Sequence, residues 1–145
     1  MKLPSSVRVV GLEAFRDCEQ LRYAELNEGL EMLGEKWNDG KEEHEGIVFA
    51  RSGIERIKIS STLKVIQAYT FLKCKNLKTV EFSEGLEKIG VAAFKESGIE
   101  TIAFPASTKA VGPQAFEGCE QLRSIWLNEG LKTLGAKEQC GGKLF

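Results

Sequence analysis

The sequence has almost no excess charge and no long apolar run. Its 20 Lys and Arg residues nearly balance 21 Asp and Glu residues, so the net charge is −1. Nucleic-acid-binding domains usually carry a clear basic excess, so we expect no nucleic-acid partner. A transmembrane helix needs about 20 consecutive apolar residues, and no such run is present, so we expect no membrane span. Residues 1–6 lead into charged residues rather than an apolar stretch, so we also expect no secretory signal in this chain.

Groups that carry catalysis are equally scarce. The one histidine, His44, lies in a polar insertion with four acidic residues between positions 39 and 45. These carboxylates lack the spacing of a calcium loop. We interpret the insertion as a solvated surface loop, with a partner-contacting loop that holds Trp37 as the alternative. The phosphate-binding, nucleophile-elbow and Cys-x-x-Cys motifs are all missing. We therefore expect no enzyme activity, no cofactor and no metal site.

An internal repeat of 22 or 23 residues dominates the sequence. The units are residues 3–25, 26–58, 59–81, 82–103 and 104–126, followed by a partial unit at 127–145. The second unit has 33 residues because it carries an insertion near 35–46. Apolar residues make up 42% of the 145 residues, which is enough for one domain with a core. We therefore predict a single repeat domain over 1–145.

Two apolar patterns recur in each unit and predict its local structure. The first is Leu/Ile-x-x-Ile/Val-x-Leu/Phe/Ile, for example Leu77, Val80 and Phe82, and its alternation is typical of a short strand. The second, seen at 86–94, ends in Gly-x-x-Ala-Phe and suggests a return segment with a glycine turn and a buried phenylalanine plug. One coil cannot bury both patterns, but stacked coils can.

These patterns favour a mainly β solenoid. A helical bundle is the alternative fold. It is disfavoured because the apolar spacing resets with every unit and because glycine falls inside the segments, where it destabilises a helix.

The fragments at 10–18 (VGLEAFRDC) and 111–119 (VGPQAFEGC) resemble the BspA-type class of leucine-rich repeats. The resemblance covers almost the whole chain, apart from the insertion and the last ten residues. It implies a curved, right-handed solenoid with a short parallel β-sheet lining the concave face. It also implies a role in adhesion or protein recognition, with no catalysis and no fixed ligand residues.

Three cysteines share one position of the repeat, three residues after the plug phenylalanine. They are Cys18, Cys74 and Cys119, and serine holds the position in the other two units. Two coils therefore separate neighbouring thiols, or about 10 Å. A disulfide needs α-carbons within about 7 Å. We expect unpaired, small, buried groups that satisfy loop backbone atoms, which weakly favours a reducing compartment.

The outward positions of the predicted strands carry alternating charge. One column is Arg22, Glu55, Lys78, Glu100 and Arg123. On neighbouring parallel strands this order predicts a ladder of opposite charges, each pair contributing about 0.2–1 kcal/mol. Our main interpretation is that the ladder fixes the stacking register.

The two adjacent outward columns supply our candidates for partner contacts. Exposed aromatic side chains are typical of interface hot spots, which singles out one tyrosine and one tryptophan on the strands. Together with their charged neighbours and the tryptophan of the insertion, the candidates are Tyr23, Arg56, Lys58, Glu81, Trp126 and Trp37. The alternative is that each strand aromatic packs along its own column over a small neighbour such as Ala103.

The chain begins and stops inside a unit, without the polar caps that repeat arrays need for solubility. The motif Phe-x-x-Cys-Glu-Gln-Leu-Arg occurs at 15–22 and again at 116–123, an offset of four units. We therefore expect a segment of a longer array, or ends that pack against neighbouring repeats or subunits.

We predict a protein-binding or scaffolding repeat module, part of a longer protein or a multi-subunit assembly, that binds a protein partner through the concave sheet. The sequence does not identify that partner. The alternatives are an extracellular adhesin-like binder of glycans or surface proteins, and a passive structural spacer.

Overall fold

The computed structural model describes residues 1–34 and 46–135, and these residues form a stack of coils joined by parallel β-pairing. The described residues contain no helix, which confirms the predicted mainly β solenoid. Each coil contributes two short strands, which line up in two columns. The first column contains β2 (Tyr23–Glu25), β4 (Arg56–Lys58), β6 (Thr79–Glu81), β8 (Thr101–Ala103) and β10 (Ser124–Trp126). The second contains β1 (Val9–Val10), β3 (Met32–Leu33), β5 (Val65–Ile66), β7 (Lys88–Ile89), β9 (Ala110–Val111) and β11 (Thr133–Leu134).

The second column consists of short strands, which the sequence pattern did not predict. We predicted a return segment with a glycine turn, whereas the structure has a two-residue strand directly before each of these turns. The pairing order is β1-β3 and β5-β7-β9-β11 in this column, and β2-β4-β6 and β8-β10 in the first. Successive coils therefore bond to each other along two separate lines of the stack.

The register of the first column matches the repeat alignment. Tyr23 lies opposite Arg56, which in turn lies opposite Thr79, and Thr101 lies opposite Ser124. Residues one unit apart in the sequence are thus lateral neighbours. The insertion in the second unit does not disturb this register, because it lies between β3 and β4.

The plug phenylalanines form one continuous stack through the core. Neighbouring ring centroids are 5.0–5.5 Å apart, and the ring planes differ by at most 12°. The stacked residues are Phe15, Phe49, Phe71, Phe94 and Phe116. Phe71 and Phe94 have no exposed surface, whereas Phe15 at the N-terminal end is only partly buried. Each internal ring is therefore packed on both faces by identical neighbours, an arrangement that aromatic offset stacking favours.

Two residues with a left-handed backbone conformation flank each plug phenylalanine. The residue two positions before it has a φ of 37–60°, and the residue two positions after it has a φ of 54–71°. In the third coil these residues are Tyr69 and Lys73. The loop between them turns its N–H groups toward the next coil, so Phe71 donates to the carbonyl of Ala93 at 2.8 Å and Lys73 donates to that of Lys95 at 2.8 Å. Only Gly118 among the ten flanking residues is a glycine, so nine positions hold a conformation that costs a side chain about 1–2 kcal/mol.

The coils are of two alternating kinds. The odd coils are residues 3–25, 59–81 and 104–126. In each of them the first turn, near the start of the coil, carries Ser or Thr hydroxyls, and the second turn, just after the plug phenylalanine, contains Cys-x-x-Leu. Even coils (26–58, 82–103) have a Glu-Gly first turn and a Ser-Gly-Ile second turn, and residues 127–135 begin another even coil with Asn-Glu-Gly. The structural repeat is therefore a pair of coils.

Each even coil binds the following odd coil through its first turn. The Glu28 carboxylate accepts hydrogen bonds from the Ser61 N–H at 3.2 Å and its hydroxyl at 2.5 Å. The Gly29 N–H donates to the Thr62 hydroxyl at 3.0 Å, and that hydroxyl donates to the Leu30 carbonyl at 2.8 Å.

The next even-to-odd interface repeats this arrangement. Glu84 accepts from the N–H groups of Ala106 and Ser107, and the Ser107 hydroxyl links the Gly85 N–H to the Leu86 carbonyl, each at 2.9 Å.

Each odd coil binds the following even coil differently. The Asn27 amide donates back to the Val7 carbonyl at 2.9 Å, and the Asn128 amide donates to the Pro105 carbonyl at 2.7 Å. In the second turn, the Gly98 N–H donates to the Cys74 carbonyl at 3.1 Å. A Cβ on Gly98 would clash with the backbone of the preceding turn, so the Ser-Gly-Ile turn needs glycine to approach the coil below.

We expect Phe71→Ala to lower the free energy of unfolding by about 3–5 kcal/mol, because it leaves a cavity between two stacked rings. The matched variant Phe15→Ala should cost less, because Phe15 has a stacked neighbour on one face only. Urea unfolding followed by circular dichroism measures both. A loss below about 1 kcal/mol for Phe71→Ala would show that the plug does not support the core.

We expect Lys73→Gly to be more stable than Lys73→Ala by roughly 0.5–1 kcal/mol, because both variants lose the same side chain and only glycine occupies a positive φ without strain. The exposed Lys64, which has no positive φ, provides the control pair, and there alanine should be the more stable residue. Thermal melts of the four variants test this reversal. The same order at both positions would contradict it.

Candidate binding surface

The first strand column presents a surface that we call the strand face, made of the first and third residues of each of its five strands. The middle residue of each strand points into the core, where Ala24, Ile57 and Ile102 are buried. The outward residues carry little of the core packing. Their chemistry is therefore available for contacts with another molecule.

The structure brings four of the predicted contact residues together at the N-terminal part of the strand face. Tyr23 lies opposite Arg56, and Glu25 lies opposite Lys58, which lies opposite Glu81. The Tyr23 hydroxyl donates to the Glu25 carboxylate at 3.2 Å, and Arg56 forms an ion pair with Glu81 at 4.0 Å. Tyr23 retains 39% of its accessible surface, so its ring remains open to contact, while the hydrogen bond to Glu25 orients its hydroxyl.

Sequence reasoning missed two members of this cluster. Glu25 receives the Tyr23 hydroxyl and also pairs with Lys2 at 3.5 Å, because residues 1–3 run parallel to β2. A signal existed, because Lys2 precedes Leu3 as Glu25 precedes Leu26 in the repeat. Lys2, Glu25 and Lys58 line an open hollow of about 590 Å³ beside the strands.

The electrostatics of the cluster shift the pKa values of Tyr23 and Glu25 in opposite directions. Partial desolvation, reinforced by the charge of Glu25, raises the pKa of the Tyr23 hydroxyl. Desolvation also raises the pKa of Glu25, but the ammonium of Lys2 and the hydroxyl of Tyr23 outweigh it, so this pKa lies below its ordinary value. At neutral pH Tyr23 is therefore a hydrogen-bond donor fixed by a carboxylate.

Trp126 lies apart from this cluster. It is on β10 at the C-terminal end of the strand face, opposite Ala103, and 59% of its surface is exposed. Four strand spacings, about 19 Å, separate β10 from β2. Trp37, the sixth candidate, lies outside the described residues.

The predicted charge ladder forms in part. Arg22 pairs with Glu55 at 3.4 Å, and Lys78 pairs with Glu100 at 3.7 Å. Within the described residues, no ion pair within 4.0 Å joins Glu55 to Lys78 or Glu100 to Arg123. All four paired side chains are about half exposed or more, so each pair contributes only about 0–1 kcal/mol.

The cysteine column satisfies backbone groups, as predicted. Cys74 is fully buried and donates through its Sγ to the Phe49 carbonyl at 2.9 Å, and Cys119 donates to the Phe94 carbonyl at 3.0 Å. Ser52 and Ser97 hold the position in the intervening coils and contact these sulfurs at 3.7 and 3.4 Å. Cys18, Cys74 and Cys119 are all free thiols, although Cys18 and Cys119 are only partly buried.

Within residues 1–34 and 46–135, no group of three metal-binding side chains could hold a metal ion. The same part of the chain has no helix of the length and hydropathy required to cross a membrane.

Comparison with known sequences and structures identifies the repeat. A family model described as "BspA type Leucine rich repeat region" matches six copies, over residues 1–37 and 45–139. The solved structure of a leucine-rich cell surface protein from Faecalibacterium prausnitzii is 22% identical, with a TM-score of 0.71 over 87% of this chain and 31% of that one.

Two further solved structures are similar. A leucine-rich repeat protein from Bacteroides ovatus is 23% identical, with a TM-score of 0.63 over 91% of this chain and 40% of that one. The leucine-rich repeat protein of T. pallidum is 23% identical, with a TM-score of 0.62 over 88% of this chain and 69% of that one. This chain thus spans less than half the length of the first two. The likeness establishes the fold, and no curated protein matches the sequence.

We expect Cys74 to resist alkylation in the folded protein, because burial raises the pKa of its thiol to about 11 and covers its sulfur. Iodoacetamide labelling at pH 8, followed by peptide mass spectrometry, should modify Cys74 only after unfolding in guanidinium. Labelling of Cys74 at the same rate in native and denatured protein would contradict the buried cysteine column.

Proposed function

The chain belongs to the BspA-type leucine-rich repeat family, and we propose that it is a protein-binding or scaffolding module within a larger protein or assembly. Its partner is a protein that contacts the N-terminal part of the strand face. The repeat fold is one used for binding and scaffolding, and the proposed role requires no catalysis. The observation that carries the proposal is the fixed, exposed ring of Tyr23 within the charged cluster.

The composition of the cluster favours a protein partner. It contains Lys2, Arg56 and Lys58 against Glu25 and Glu81, so both signs are present within one patch and the net charge is +1. A nucleic acid or an anionic membrane surface would select for a stronger basic excess. Tyrosine and arginine are, with tryptophan, the residues most enriched at protein-interface hot spots.

The arrangement also lowers the cost of binding. The Glu25 carboxylate orients the Tyr23 hydroxyl before any partner arrives, and Glu81 lies 4.0 Å from the Arg56 guanidinium. A side chain that is already ordered loses less conformational entropy on association. The hollow beside Lys2 and Lys58 offers space for a partner side chain next to this ordered patch.

We expect the double variant Tyr23→Ala/Arg56→Ala to lose partner binding, while Lys88→Ala, on the exposed side of the second strand column, retains it. A hot-spot side chain contributes about 2 kcal/mol or more, so each substitution should weaken Kd roughly 30-fold. Affinity capture with quantitative mass spectrometry identifies the partner, and calorimetry with the purified partner measures Kd. Circular dichroism confirms that each variant folds.

Trp126→Ala, measured in the same experiment, maps the extent of the interface. Unchanged binding by the Tyr23→Ala/Arg56→Ala variant would refute the proposed surface. Wild-type protein that captures no partner would contradict the proposed binding role and favour a structural spacer.

A further inference from the structure

The charges in one row of the strand face alternate from strand to strand. In the third outward position the residues are Lys2, Glu25, Lys58 and Glu81, so the sign changes at every step. Neighbouring strands lie about 4.8 Å apart, so this row is about 14 Å long. A row of alternating charge with four members has the complementary order when it is read from its other end. The row can therefore be complemented by a second copy of the same row that runs in the opposite direction.

Lys58 is the member of this row whose charge is available. It lies opposite Glu25 on one side and Glu81 on the other, yet within the described residues no carboxylate comes within 4.0 Å of its ammonium. Glu25 pairs with Lys2 instead, and Glu81 pairs with Arg56. The Lys58 side chain is exposed. It can therefore pair with a carboxylate of another molecule without the loss of an internal ion pair.

Glu25 has the capacity to accept such a contact. Its Oε1 pairs with Lys2 at 3.5 Å, and its Oε2 accepts the Tyr23 hydroxyl at 3.2 Å. A carboxylate has about four acceptor sites on its two oxygens, so each oxygen can accept another donor. The Glu25 side chain also keeps 27% of its surface exposed. It can thus bind a lysine of a second copy while it still orients Tyr23.

Two copies meet with complementary charges around one twofold axis. This axis runs parallel to the strands, midway between β2 and β4, so that the outward residues of β2 face those of β4 in the second copy. The facing pairs, each present twice, are Glu25 with Lys58, Tyr23 with Arg56, and Lys2 with Glu81. Two of these pairs join opposite charges, and an arginine over a tyrosine ring makes a cation–π contact. All the facing side chains are long, so they can meet across a concave face as well as a flat one.

The other twofold arrangements of the same face are less favourable. An axis parallel to the strands but centred on β4 places Lys58 opposite the second copy's Lys58. An axis along the stack places Arg56 opposite Lys58, which is also a like-charge contact, and such contacts exclude wrong arrangements. An axis between β4 and β6 pairs Lys58 with Glu81 but leaves Tyr23 opposite Thr101, without a cation. The charges therefore favour the axis between β2 and β4.

We propose that the protein forms a dimer through the strand face, with the two stacks running in opposite directions and β2 of each copy facing β4 of the other. The proposal rests on the proposed function, because it names a second copy of this chain as the partner of the same surface. The contacts lie on the side of the stack, so coils added at either end would leave them in place.

The size and charge of the surface set the expected strength of this dimer. A row about 14 Å long is small beside the roughly 800 Å² that each partner buries in a stable interface. We therefore expect a weak dimer, with a Kd between roughly 10 µM and 1 mM. Most of its contacts are between exposed charges, so added salt should weaken it.

Sedimentation velocity of the full chain at low salt, from micromolar to near-millimolar concentration, tests the proposal. The wild-type protein should shift from its monomer mass of 16.0 kDa to twice that mass, because a twofold contact closes on itself. Glu25→Lys and Lys58→Glu each place like charges opposite each other twice, so each variant alone should dimerise at least about 10-fold more weakly. Glu31→Lys and Lys64→Glu make the same charge changes at exposed positions just before β3 and β5, and they should dimerise like wild type.

Mixing the Glu25→Lys and Lys58→Glu variants identifies the geometry. In the mixed dimer, the introduced lysine of one variant faces the introduced glutamate of the other, and the unchanged Lys58 and Glu25 face each other. The equimolar mixture should therefore dimerise again, which a contact between residues 25 and 58 within one molecule would not produce. Circular dichroism confirms that each variant is folded.

Wild-type protein that stays at 16.0 kDa throughout the concentration range overturns the proposal. So does a Glu25→Lys variant that dimerises normally, or a mixture of folded variants that remains monomeric. Wild-type protein that is monomeric but captures another protein through Tyr23 and Arg56 would show that the strand face binds a partner other than a second copy. Absence of both self-association and capture would contradict the binding role itself.

Discussion

Contact between successive coils is the interaction on which this structure depends. Strand pairs, plug loops and turns all direct their backbone groups to the coil before or after, and the phenylalanine rings stack along the same axis. A coil of about 23 residues is too thin to bury its own apolar side chains. Its neighbours complete the core, so stability is shared between adjacent coils and is lowest where a neighbour is absent.

The alternation of coil types also restricts which kind of coil can stack on which. Backbone pairing and phenylalanine stacking would let any coil follow any other. The Glu-Gly turn, however, needs the hydroxyl turn after it, and the Ser-Gly-Ile turn approaches the backbone of the Cys-x-x-Leu turn before it so closely that only glycine fits. Because the donors and acceptors are in the turns, these contacts fix the order of the coils.

The strand face is almost independent of these constraints. Its middle residues enter the core, while its outward residues make surface ion pairs and one tyrosine–carboxylate hydrogen bond. Surface pairs contribute little to stability, so the outward positions can vary without loss of the fold. This separation explains how a stack of nearly identical coils can carry a local cluster such as that around Tyr23.

The sequence by itself determined the repeat, the strand register, the phenylalanine plug and the unpaired state of Cys18, Cys74 and Cys119. Each of these follows from residues that recur at one period, because stacking turns that period into lateral contact.

Tertiary structure alone decided four other features. The strands of the second column, such as β7, are two residues long, too short for apolar alternation to reveal them.

Lys73 adopts a left-handed backbone conformation because hydrogen bonds to the next coil hold it there, although its residue type gives no sign of this. Glu25 and Lys2 join Tyr23 because residues 1–3 pair with β2. Only half of the charge ladder closes, because exposed side chains choose among several partners and water with little difference in energy. A repeating pattern fixes which residues become neighbours, but the contacts that exposed or strained groups then make depend on distances that only the assembled stack sets.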